Sequence, residues 1–471
     1  MLRKIRIALA AIFWVAVTLL FIDTTGLART WFGWMAKIQF LPAVLALNVG
    51  VIIALVLLTF VFGRIYCSVI CPLGITQDII SWIHGKTKKK NRFRFQYKKA
   101  NNLLRYIILG VFIIVVIAGL GSIAALLAPY SAYGRIVSSI AHPATLPTII
   151  VAAVTLVAIA ILSWKDGRIY CNTICPVGSL LGLISRFSLL GPVIDADKCR
   201  GCKLCGKQCK SSCIDMEHHS IDYSRCVDCM DCIDTCKEGA IKYRFKHSSP
   251  KTSEAGAEGQ SCEAGRRAFL IGGALAVGSA TLKAQEMKVD GGLAAIEGKK
   301  IQQRETRIVP AGAVSIKHLS SKCTACQLCI SNCPEHVLRP STSLTSLMQP
   351  EMSFDKGYCR IGCTRCSELC PAGAILPITE EEKTSIHIGH AVVDLDACIA
   401  ATEGESCGNC ARHCPAGAIK LVHKDPEDKQ SPRIPTVDEA KCIGCGACEH
   451  LCPVRPISAI HIEGHSTHII D

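Results

Sequence analysis

Four long apolar segments dominate the first part of the chain, and their length predicts helices that cross a membrane. Each is close to the run of about 20 apolar residues that an α-helix needs to span a bilayer. We therefore expect a four-helix transmembrane bundle over residues 1–190. The segments run from Ile7 to Ile22, from Phe40 to Phe62, from Ile107 to Ala128 and from Thr148 to Trp164.

The polar loops between these segments predict how the bundle is oriented. The loop between the second and third segments is basic and contains no acidic residue, whereas the other two carry little positive charge. Because positively charged loops stay in the cytoplasm, this loop and both ends of the bundle are expected there. A surface that faces lipid headgroups accounts for the same charges. The basic residues are Lys86, Lys88, Lys89, Lys90, Arg92, Arg94, Lys98 and Lys99.

The bundle contains an internal duplication that carries two pairs of cysteines. The sequence Gly-Arg-Ile-Tyr-Cys-Ser-Val-Ile-Cys-Pro-Leu-Gly begins at Gly63, and Gly-Arg-Ile-Tyr-Cys-Asn-Thr-Ile-Cys-Pro-Val-Gly begins at Gly167. Such a match indicates a repeated unit. It predicts a redox-active thiol site, a metal or cluster site, or a surface for quinol chemistry at the cytoplasmic face. The alternative is a helix stop with buried thiols. The four cysteines are Cys67, Cys71, Cys171 and Cys175.

After the bundle the apolar runs become short and cysteine becomes frequent, which predicts an α+β ferredoxin module of the bacterial type over residues 191–245. Two Cys-x-x-Cys-x-x-Cys-x-x-x-Cys runs have the spacing that holds cubane iron–sulfur clusters, and zinc sites are built from a different spacing. In two-cluster ferredoxins the fourth cysteine of each run ligates the other cluster. The predicted ligand sets are Cys199, Cys202, Cys205 with Cys236, and Cys226, Cys229, Cys232 with Cys209.

Two features of this module depart from the usual ferredoxin pattern. Lys210 and Lys237 stand where proline normally follows the fourth cysteine. Cys213 lies close to Cys209 in sequence and is an alternative ligand. The sequence therefore predicts two clusters but leaves open which of these two thiols binds iron.

The last part of the chain, residues 286–471, contains four more cysteine runs and predicts a second ferredoxin module with four clusters. The first and fourth runs are regular, whereas the second and third are expanded. We therefore favour a nested pairing, first run with fourth and second with third. The runs are Cys323, Cys326, Cys329, Cys333; Cys359, Cys363, Cys366, Cys370; Cys398, Cys407, Cys410, Cys414; and Cys442, Cys445, Cys448, Cys452.

Between the two modules the sequence predicts a linker and an export signal. Residues 246–264 are rich in Ser, Gly, Glu and Lys without periodicity, as in flexible linkers. Residues 265–285 hold Arg266 and Arg267, then Phe269, Leu270 and a short Gly/Ala-rich apolar run, typical of a twin-arginine signal or anchor. The alternative is a chance arginine pair before a buried helix. An export signal here would put the two modules on opposite sides of one membrane.

Composition narrows the functions that fit. The 471-residue chain has 30 cysteines, a formal net charge of +14 and a mean hydropathy of +0.33. Each four-thiolate cubane adds about two negative charges, so the positive charge does not indicate a nucleic-acid partner. No dinucleotide, phosphate-binding or haem-attachment motif is present. Six [4Fe–4S] clusters, with about 24 iron atoms, predict an electron carrier without an organic-substrate site. We interpret His218, His219, His461, His465 and His468 as polar surface residues.

These motifs resemble known families. The apolar segments, the paired Cys-x-x-x-Cys-Pro motifs and the module after them resemble the NapH-type membrane component of quinol dehydrogenases, with kin among MauN and FixG-like proteins. The arginine pair, the Pro-Ala-Gly-Ala segment from Pro310 and four clusters look like the NapG/MauM type of exported ferredoxin. The resemblance implies a multi-pass protein of the bacterial cytoplasmic membrane. It would take electrons from the quinol pool and pass them to a periplasmic reductase or carrier.

Three hypotheses follow. The first is a membrane electron carrier from quinol, or from a cytoplasmic donor, to a periplasmic reductase; its only catalysis would be quinol oxidation. The second, suggested by the MauM/MauN resemblance, is an accessory or maturation factor that uses the four bundle cysteines. The third keeps all six clusters in the cytoplasm.

Overall fold

The computed structural model describes residues 2–23, 26–87, 95–142, 145–246, 298–428 and 430–471. The predicted twin-arginine signal at residues 265–285 and almost all of the predicted linker lie outside these residues. So does most of the basic loop, including Lys88, Lys89, Lys90, Arg92 and Arg94. The predictions for these segments are unchanged by the structure.

Helices make up the first part of the chain, which we call the helical region (residues 2–185). Several begin at residues suited to a helix start: the Asn48 side chain accepts a hydrogen bond from the amide of Val51, and proline opens α7, α10 and α12. The helices are α1 Leu2–Ile22, α2 Leu27–Phe32, α3 Trp34–Lys37, α4 Phe40–Leu45, α5 Val49–Phe62, α6 Ile65–Val69, α7 Pro72–Thr87, α8 Asn102–Ile117, α9 Gly121–Leu127, α10 Pro129–Ala141, α11 Leu146–Asp166 and α12 Pro176–Ser185. A single π-helical turn, Tyr170–Ile174, precedes α12.

Two of the four predicted membrane spans are interrupted. Among the described residues, only α1 and α11 are long and apolar enough to cross a membrane; α5, α8 and α12 are shorter apolar helices. The second predicted span breaks at Leu47, whose φ of 54° is left-handed, just before Asn48 caps α5. The third breaks at Gly119, with φ 73°. The prediction of continuous helices over Phe40–Phe62 and Ile107–Ala128 is therefore wrong.

The helical region has one buried core and an apolar exterior. Val17, Leu20 and Phe21 of α1 are almost fully buried and pack with residues from every part of the region. By contrast, side chains such as Ile12 and Ile114 are exposed at 57% and 68%. Exposed apolar side chains on this scale suit contact with lipid.

The first ferredoxin module (residues 190–245) is closed by strands from its two ends. Strand β1, Leu190–Ile194, pairs antiparallel with β4, Ile241–Phe245, so that Leu190 faces Phe245 and Ile194 faces Ile241. Between them lie α13 Leu204–Gln208, β2 Ile214–Asp215, β3 Ser220–Ile221 and α14 Asp231–Thr235. Each short helix directly follows a cysteine loop. This is the predicted α+β arrangement.

The second ferredoxin module (residues 299–470) repeats that arrangement on a larger scale. Its longest ladder pairs β10 with β7, from Ile460 opposite Val393 to Ile470 opposite Ile386. Two further antiparallel pairs are β5 with β6 and β8 with β9. The elements are α15 Ile316–Lys322, α16 Leu328–Ser331, β5 Leu338–Pro340, β6 Pro350–Met352, α17 Arg365–Leu369, α18 Glu380–Thr384, β7 Ile386–Val393, α19 Ile399–Thr402, α20 Asn409–Arg412, β8 Ile419–His423, β9 Arg433–Val437, α21 Ala447–Leu451 and β10 Ile460–Ile470.

The two modules contact opposite ends of helix α1. Near its start, the Arg3 side chain donates to Asp231 of the first module at 2.7 Å. Near its end, the carbonyl of Leu20 accepts a hydrogen bond from Asn332 of the second module at 3.0 Å. The 21 residues of α1 span about 31 Å. The helical region therefore lies between the two cysteine-rich modules.

Candidate iron–sulfur and thiol sites

The first module groups its cysteines as predicted. Cys199, Cys202, Cys205 and Cys236 line one cavity. In the second group, the Cys232 thiol is within electrostatic range of Cys209, Cys226 and Cys229, and also of Cys205 in the first group. The fourth cysteine of each run therefore crosses to the other group, and the two groups are neighbours.

Cys213, the predicted alternative ligand, lies beside the second group and is buried. Its sulfur is 3.5 Å from that of Cys209. The hydrogen bond between them lowers the pKa of Cys209 to about 7 and raises the pKa of Cys213 well above its usual value. This arrangement favours Cys209 as the thiolate and Cys213 as its hydrogen-bond donor.

Lys210, which replaces the usual proline, joins the first module to the helical region. Its ammonium group is 2.9 Å from Asp231 and 3.6 Å from Asp78 of α7. Asp78 also pairs with Arg6 at 2.9 Å and with Arg168 at 2.8 Å. The departure from the ferredoxin pattern thus supplies one cation of a network of alternating charges.

The second module groups its four runs sequentially, and the nested pairing that we predicted is wrong. The first run shares its cavities with the second, and the third run groups with the fourth, because each pair of runs folds as one two-cluster unit. The groups are Cys323, Cys326, Cys329 with Cys370; Cys359, Cys363, Cys366 with Cys333; Cys398, Cys407, Cys410 with Cys452; and Cys442, Cys445, Cys448 with Cys414.

The four cysteine groups of the second module form a linear series, in which each group contacts the next. The thiol of Cys329 is within range of Cys366, which links the first two groups. The amide of Cys359 donates to the carbonyl of Cys445 at 2.9 Å, which joins the two-cluster units. Cys448 is within range of Cys410, in the last group. The order therefore begins at the Cys323 group, which lies against the helical region, and ends at the Cys398 group.

The donor sets fit iron–sulfur clusters. Four thiols surround each cavity, and backbone amides donate to sulfur: Ala325 to Cys323 at 3.4 Å, and Ala418 to Cys414 at 3.3 Å. Among the described residues, no three His, Cys, Asp or Glu side chains are placed to hold a single metal ion. Ligands of one zinc ion lie about 2.3 Å from the metal, whereas thiols around a four-iron cluster are spread more widely.

The structure brings the four bundle cysteines together, and we call Cys67, Cys71, Cys171 and Cys175 the thiol tetrad. The thiols of Cys67, Cys71 and Cys175 each lie within electrostatic range of Cys171. Each of these cysteines is only 3–4% exposed, because the tetrad lies within the core of the helical region.

Crossed hydrogen bonds tie the two repeats together at the tetrad. Arg64 of the first repeat donates to the carbonyl of Cys171 at 3.0 Å, and Arg168 of the second donates to the carbonyl of Cys67 at 2.7 Å. A Cβ at Gly74 would lie 2.3 Å from the Cys67 oxygen, and one at Gly178 would lie 2.1 Å from the Cys171 oxygen. The repeated Gly positions therefore let each helix pack against the loop of its own repeat, and the repeated Arg positions join the two loops.

One histidine interpretation was wrong. His468 is 7% exposed, because β10 turns it inward, and burial together with the neighbouring His465 lowers the pKa of His468 to about 4. His465 stacks on His390, with ring nitrogens 3.1 Å apart. His218 is exposed and pairs with Asp215, which is a surface role.

Sequence reasoning missed the buried charges around the tetrad. Arg64 and Arg168 stand in the repeated motif, beside its cysteines. A signal was present, since arginines that recur at the same place beside apolar helices need buried partners. Asp78 and Gln77 carried no signal, because the second repeat has Gly182 and Leu181 at those positions.

Two family models match the cysteine-rich segments. Residues 44–91 and 145–191 match the model described as a 4Fe-4S binding domain, and each stretch contains one cysteine pair of the tetrad. Residues 322–374 and 404–455 match a 4Fe-4S dicluster domain. The first of these dicluster stretches contains the first and second runs, which agrees with sequential grouping.

Three ferredoxin-type relatives agree with this chemistry. The ferredoxin-type protein NapG of Escherichia coli is 30% identical over 185 residues, which cover 35% of this chain and 77% of NapG. The chain belongs to the NapG family of ferredoxin-type proteins. A second relative, the ferredoxin-type protein NapH of Haemophilus influenzae, is 28% identical over 44% of the chain and 72% of NapH.

A third relative is the methylamine utilization ferredoxin-type protein MauM of Methylobacillus flagellatus. It is 31% identical over 31% of the chain and 64% of MauM. No solved structure matches the chain. The 4Fe-4S domains and the ferredoxin-type relatives show that this member of the NapG family is an iron–sulfur electron-transfer protein.

Proposed function

We propose that the protein carries electrons from membrane quinol, or from a cytoplasmic donor, to a periplasmic reductase or electron carrier. The observation that supports this most is the order of the cysteine groups. They begin in the first ferredoxin module at one end of α1, continue at the other end, and extend through the second module. A carrier needs such a series, whereas an enzyme with its own organic substrate does not.

The proposal assigns six [4Fe–4S] clusters, two to residues 191–245 and four to residues 286–471. The first two are held by Cys199, Cys202, Cys205 with Cys236, and by Cys226, Cys229, Cys232 with Cys209; the other four by the sequential groups given above. When bound, a cubane cluster exchanges one electron at a potential set by burial, charge and hydrogen bonds to sulfur. The chain's part is to hold thiolates, donate amides to them and exclude water.

Sidedness is the second part of the proposal. Residues 1–190 would form the membrane domain, with residues 191–245 in the cytoplasm. After the linker at 246–264, the signal at 265–285 would direct residues 286–471 to the periplasm. Support comes from the basic loop, the arginine pair and the contacts of the two modules with opposite ends of α1.

The meeting of four cysteines in the tetrad suggests a second function, a maturation factor that works on thiols of a partner enzyme. The burial of the tetrad argues against it. Thiol exchange needs an accessible sulfur, and all four sulfurs belong to residues that are 3–4% exposed. The carrier function is therefore the one that the geometry supports better.

Topology gives the first test. A reporter that is active only outside the cytoplasm, fused after residue 471, should be active in the wild-type chain. The matched variant Arg266→Lys/Arg267→Lys keeps the charge but should abolish the activity, because twin-arginine export requires the arginines. A reporter that is inactive in both would refute export.

Electron transfer gives the second test. Full-length protein in liposomes, supplied with a reduced quinol analogue, should reduce a membrane-impermeant acceptor dye on the side of the second module. Cys398→Ser, which removes a ligand from the last group, should reduce the rate. Cys262→Ser, outside the predicted ligands, should not. Dye reduction that is equal in all three proteins would contradict the proposed route.

A further inference from the structure

We infer that the thiol tetrad is itself an iron–sulfur site, a single cluster shared by both repeats inside the helical region. Each stretch that matches the 4Fe-4S binding domain contributes only two cysteines. Neither repeat alone can supply four thiolates from its own motif. The structure places all four thiols in one buried core, so the two halves complete one site.

The surroundings of the sulfurs resemble those of the ferredoxin groups. The amide of Gly178 donates to the sulfur of Cys175 at 3.3 Å, and Gln77 donates to that of Cys171 at 3.2 Å. Arginine nitrogens lie 3.9–4.0 Å from the sulfurs of Cys67 and Cys171. Neutral thiols are weak acceptors, whereas cluster thiolates take such bonds, as the sulfurs of the second module do.

Charge provides an independent argument. The Arg64 side chain is fully buried, and its acceptors besides Cys67 and Cys171 are the Asn172 side chain at 2.8 Å and the Ser224 carbonyl at 3.0 Å. Among the residues that the structure describes, no ion pair within 4 Å joins a carboxylate to its guanidinium; Asp228 accepts a hydrogen bond from its backbone amide and acts on its charge only from farther away. A buried cation without an anion is costly.

An iron–sulfur cluster would supply that anion. A four-iron cluster with four thiolates carries about two negative charges, and these would lie beside both arginines. If the tetrad were only a set of packed thiols, Arg64 would remain a buried cation whose charge Asp228 offsets only from beyond ion-pair distance. A cluster at the tetrad therefore accounts for the buried charge of Arg64, whereas Arg168 already has an ion pair with Asp78.

The site also lies where the proposed route needs it. On one side, Val227 and Cys229 of the first module pack against the core that contains the tetrad. On the other, Tyr130 is within range of both Tyr66, which adjoins Cys67, and Cys326 of the second module. One-electron exchange here, each electron taken up being passed on, would connect the modules; this role, unlike the site itself, rests on the proposed function.

The test is the iron content of the full chain, purified without oxygen, measured with acid-labile sulfide and Mössbauer spectra. The wild type should hold two or four iron atoms more than the variant Cys67→Ser/Cys71→Ser/Cys171→Ser/Cys175→Ser, which should keep the module clusters. Cys262→Ser is the matched control and should lose none. Equal iron in the quadruple variant and the wild type overturns the proposal.

A single substitution that leaves all four cysteines in place distinguishes loss of the cluster from misfolding. Gln77→Leu copies the residue that the second repeat has at this position, Leu181, and removes one donor to sulfur. It should keep the full iron content but move the midpoint potential of one cluster to a more negative value, with altered signals in electron paramagnetic resonance. Unchanged spectra and potentials would overturn the proposal even if the quadruple variant loses all iron.

These outcomes separate the site from the carrier function. A tetrad without iron in a protein that still reduces the external dye would remove the site and leave the function. A tetrad with iron in a protein whose reporter stays inactive would do the reverse.

Discussion

The two ferredoxin modules are held against the helical region by different chemistry. The first is attached through buried charges. Lys210 and Asp231 form an ion pair at 2.9 Å, Arg3 reaches Asp231 at 2.7 Å, and the Asp231 side chain is 2% exposed. Arg105 adds a hydrogen bond to the carbonyl of Ser224 at 3.1 Å. We call this contact the ionic junction.

The second module is attached mainly through apolar packing. Cys326, Leu328 and Leu369 belong to the same core as Phe21 and Tyr130 of the helical region. Among the described residues, the ion pair across this contact is Arg29 with Glu368 at 3.1 Å, and its carboxylate is 47% exposed. We call this contact the apolar junction.

The two junctions fix the orientation of their modules in different ways. Buried charges must meet their partners, so an ionic junction fixes one placement at a cost in desolvation. An apolar junction depends instead on shape, since close packing leaves no room for added atoms. Glycine serves both: a Cβ at Gly182 would lie 2.5 Å from the Ser224 oxygen, and one at Gly134 would lie 2.5 Å from the Cys326 oxygen.

The largest effect should come from filling the apolar junction. Gly134→Val would place side-chain atoms against the Cys326 carbonyl and the Phe21 ring, 2.5 and 2.7 Å from the new Cβ. Neither can move without opening the core, so we expect the loss of docking energy to exceed the usual cost of overpacking, about 1–3 kcal/mol. Hydrogen exchange of the full chain should then rise around Ser320–Asn332 but not in the first module.

The matched control is Gly110→Val. A Cβ at Gly110, in α8, has open space around it. This variant should leave exchange in both modules unchanged. Equal exposure of the second module in the two variants would mean that the apolar junction does not depend on shape.

The ionic junction should break next. Asp231→Asn removes the anion shared by Lys210 and Arg3 and leaves their positive charge buried. We expect this to destabilise the docking of the first module by about 3 kcal/mol. Exchange should rise at the contact of the first module and not of the second. Asp234→Asn, whose carboxylate is 56% exposed, is the control and should be nearly silent. Lys210→Met in the Asp231→Asn background should recover part of the loss.

Acid should destabilise the second module more than the first, by a smaller free energy than the substitutions above. Burial alone would raise the pKa of Asp231, but Lys210 and Arg3 outweigh it and lower that pKa, so the ionic junction should survive at pH 5. Burial lowers the pKa of His468 to about 4. Between its unfolded pKa of about 6.5 and pH 4, only the unfolded state takes up the proton, so stability falls as pH falls.

The expected loss for the second module between pH 7 and pH 5 is about 1–2 kcal/mol. Denaturant unfolding of the full chain, followed by exchange in each module, measures it. His468→Gln should flatten this pH dependence, whereas His336→Gln, at an exposed position, should retain it. A first module that weakens as much as the second would break the comparison.

The smallest effect should come from the exposed ion pair of the apolar junction. Arg29→Ala should cost less than about 1 kcal/mol, because exposed pairs contribute little and are screened by salt. The difference in stability from wild type should vanish at about 1 M salt, because salt at that concentration screens exposed charges. A loss as large as that of Asp231→Asn would make this junction ionic as well.

Much of the local structure followed from sequence. The cysteine runs predicted the α+β modules, and in the first module Cys236 lies with the first run and Cys209 with the second, the grouping that the predicted ligand sets require. The duplication predicted that two loops would meet. The second and third membrane spans failed because one left-handed residue, Leu47 or Gly119, interrupts a run whose composition still looks continuous.

The sequence by itself determined which thiols belong to a run, because ligands two or three residues apart are held by the local turn. It also determined that the chain repeats a Cys-x-x-x-Cys-Pro unit. Only the tertiary structure decided which runs share their fourth cysteine, which charges meet at each junction, and that the tetrad is buried beside Arg64. Those contacts join residues as distant as Arg3 and Asp231. The free energy of such contacts depends on burial and packing that no local spacing encodes.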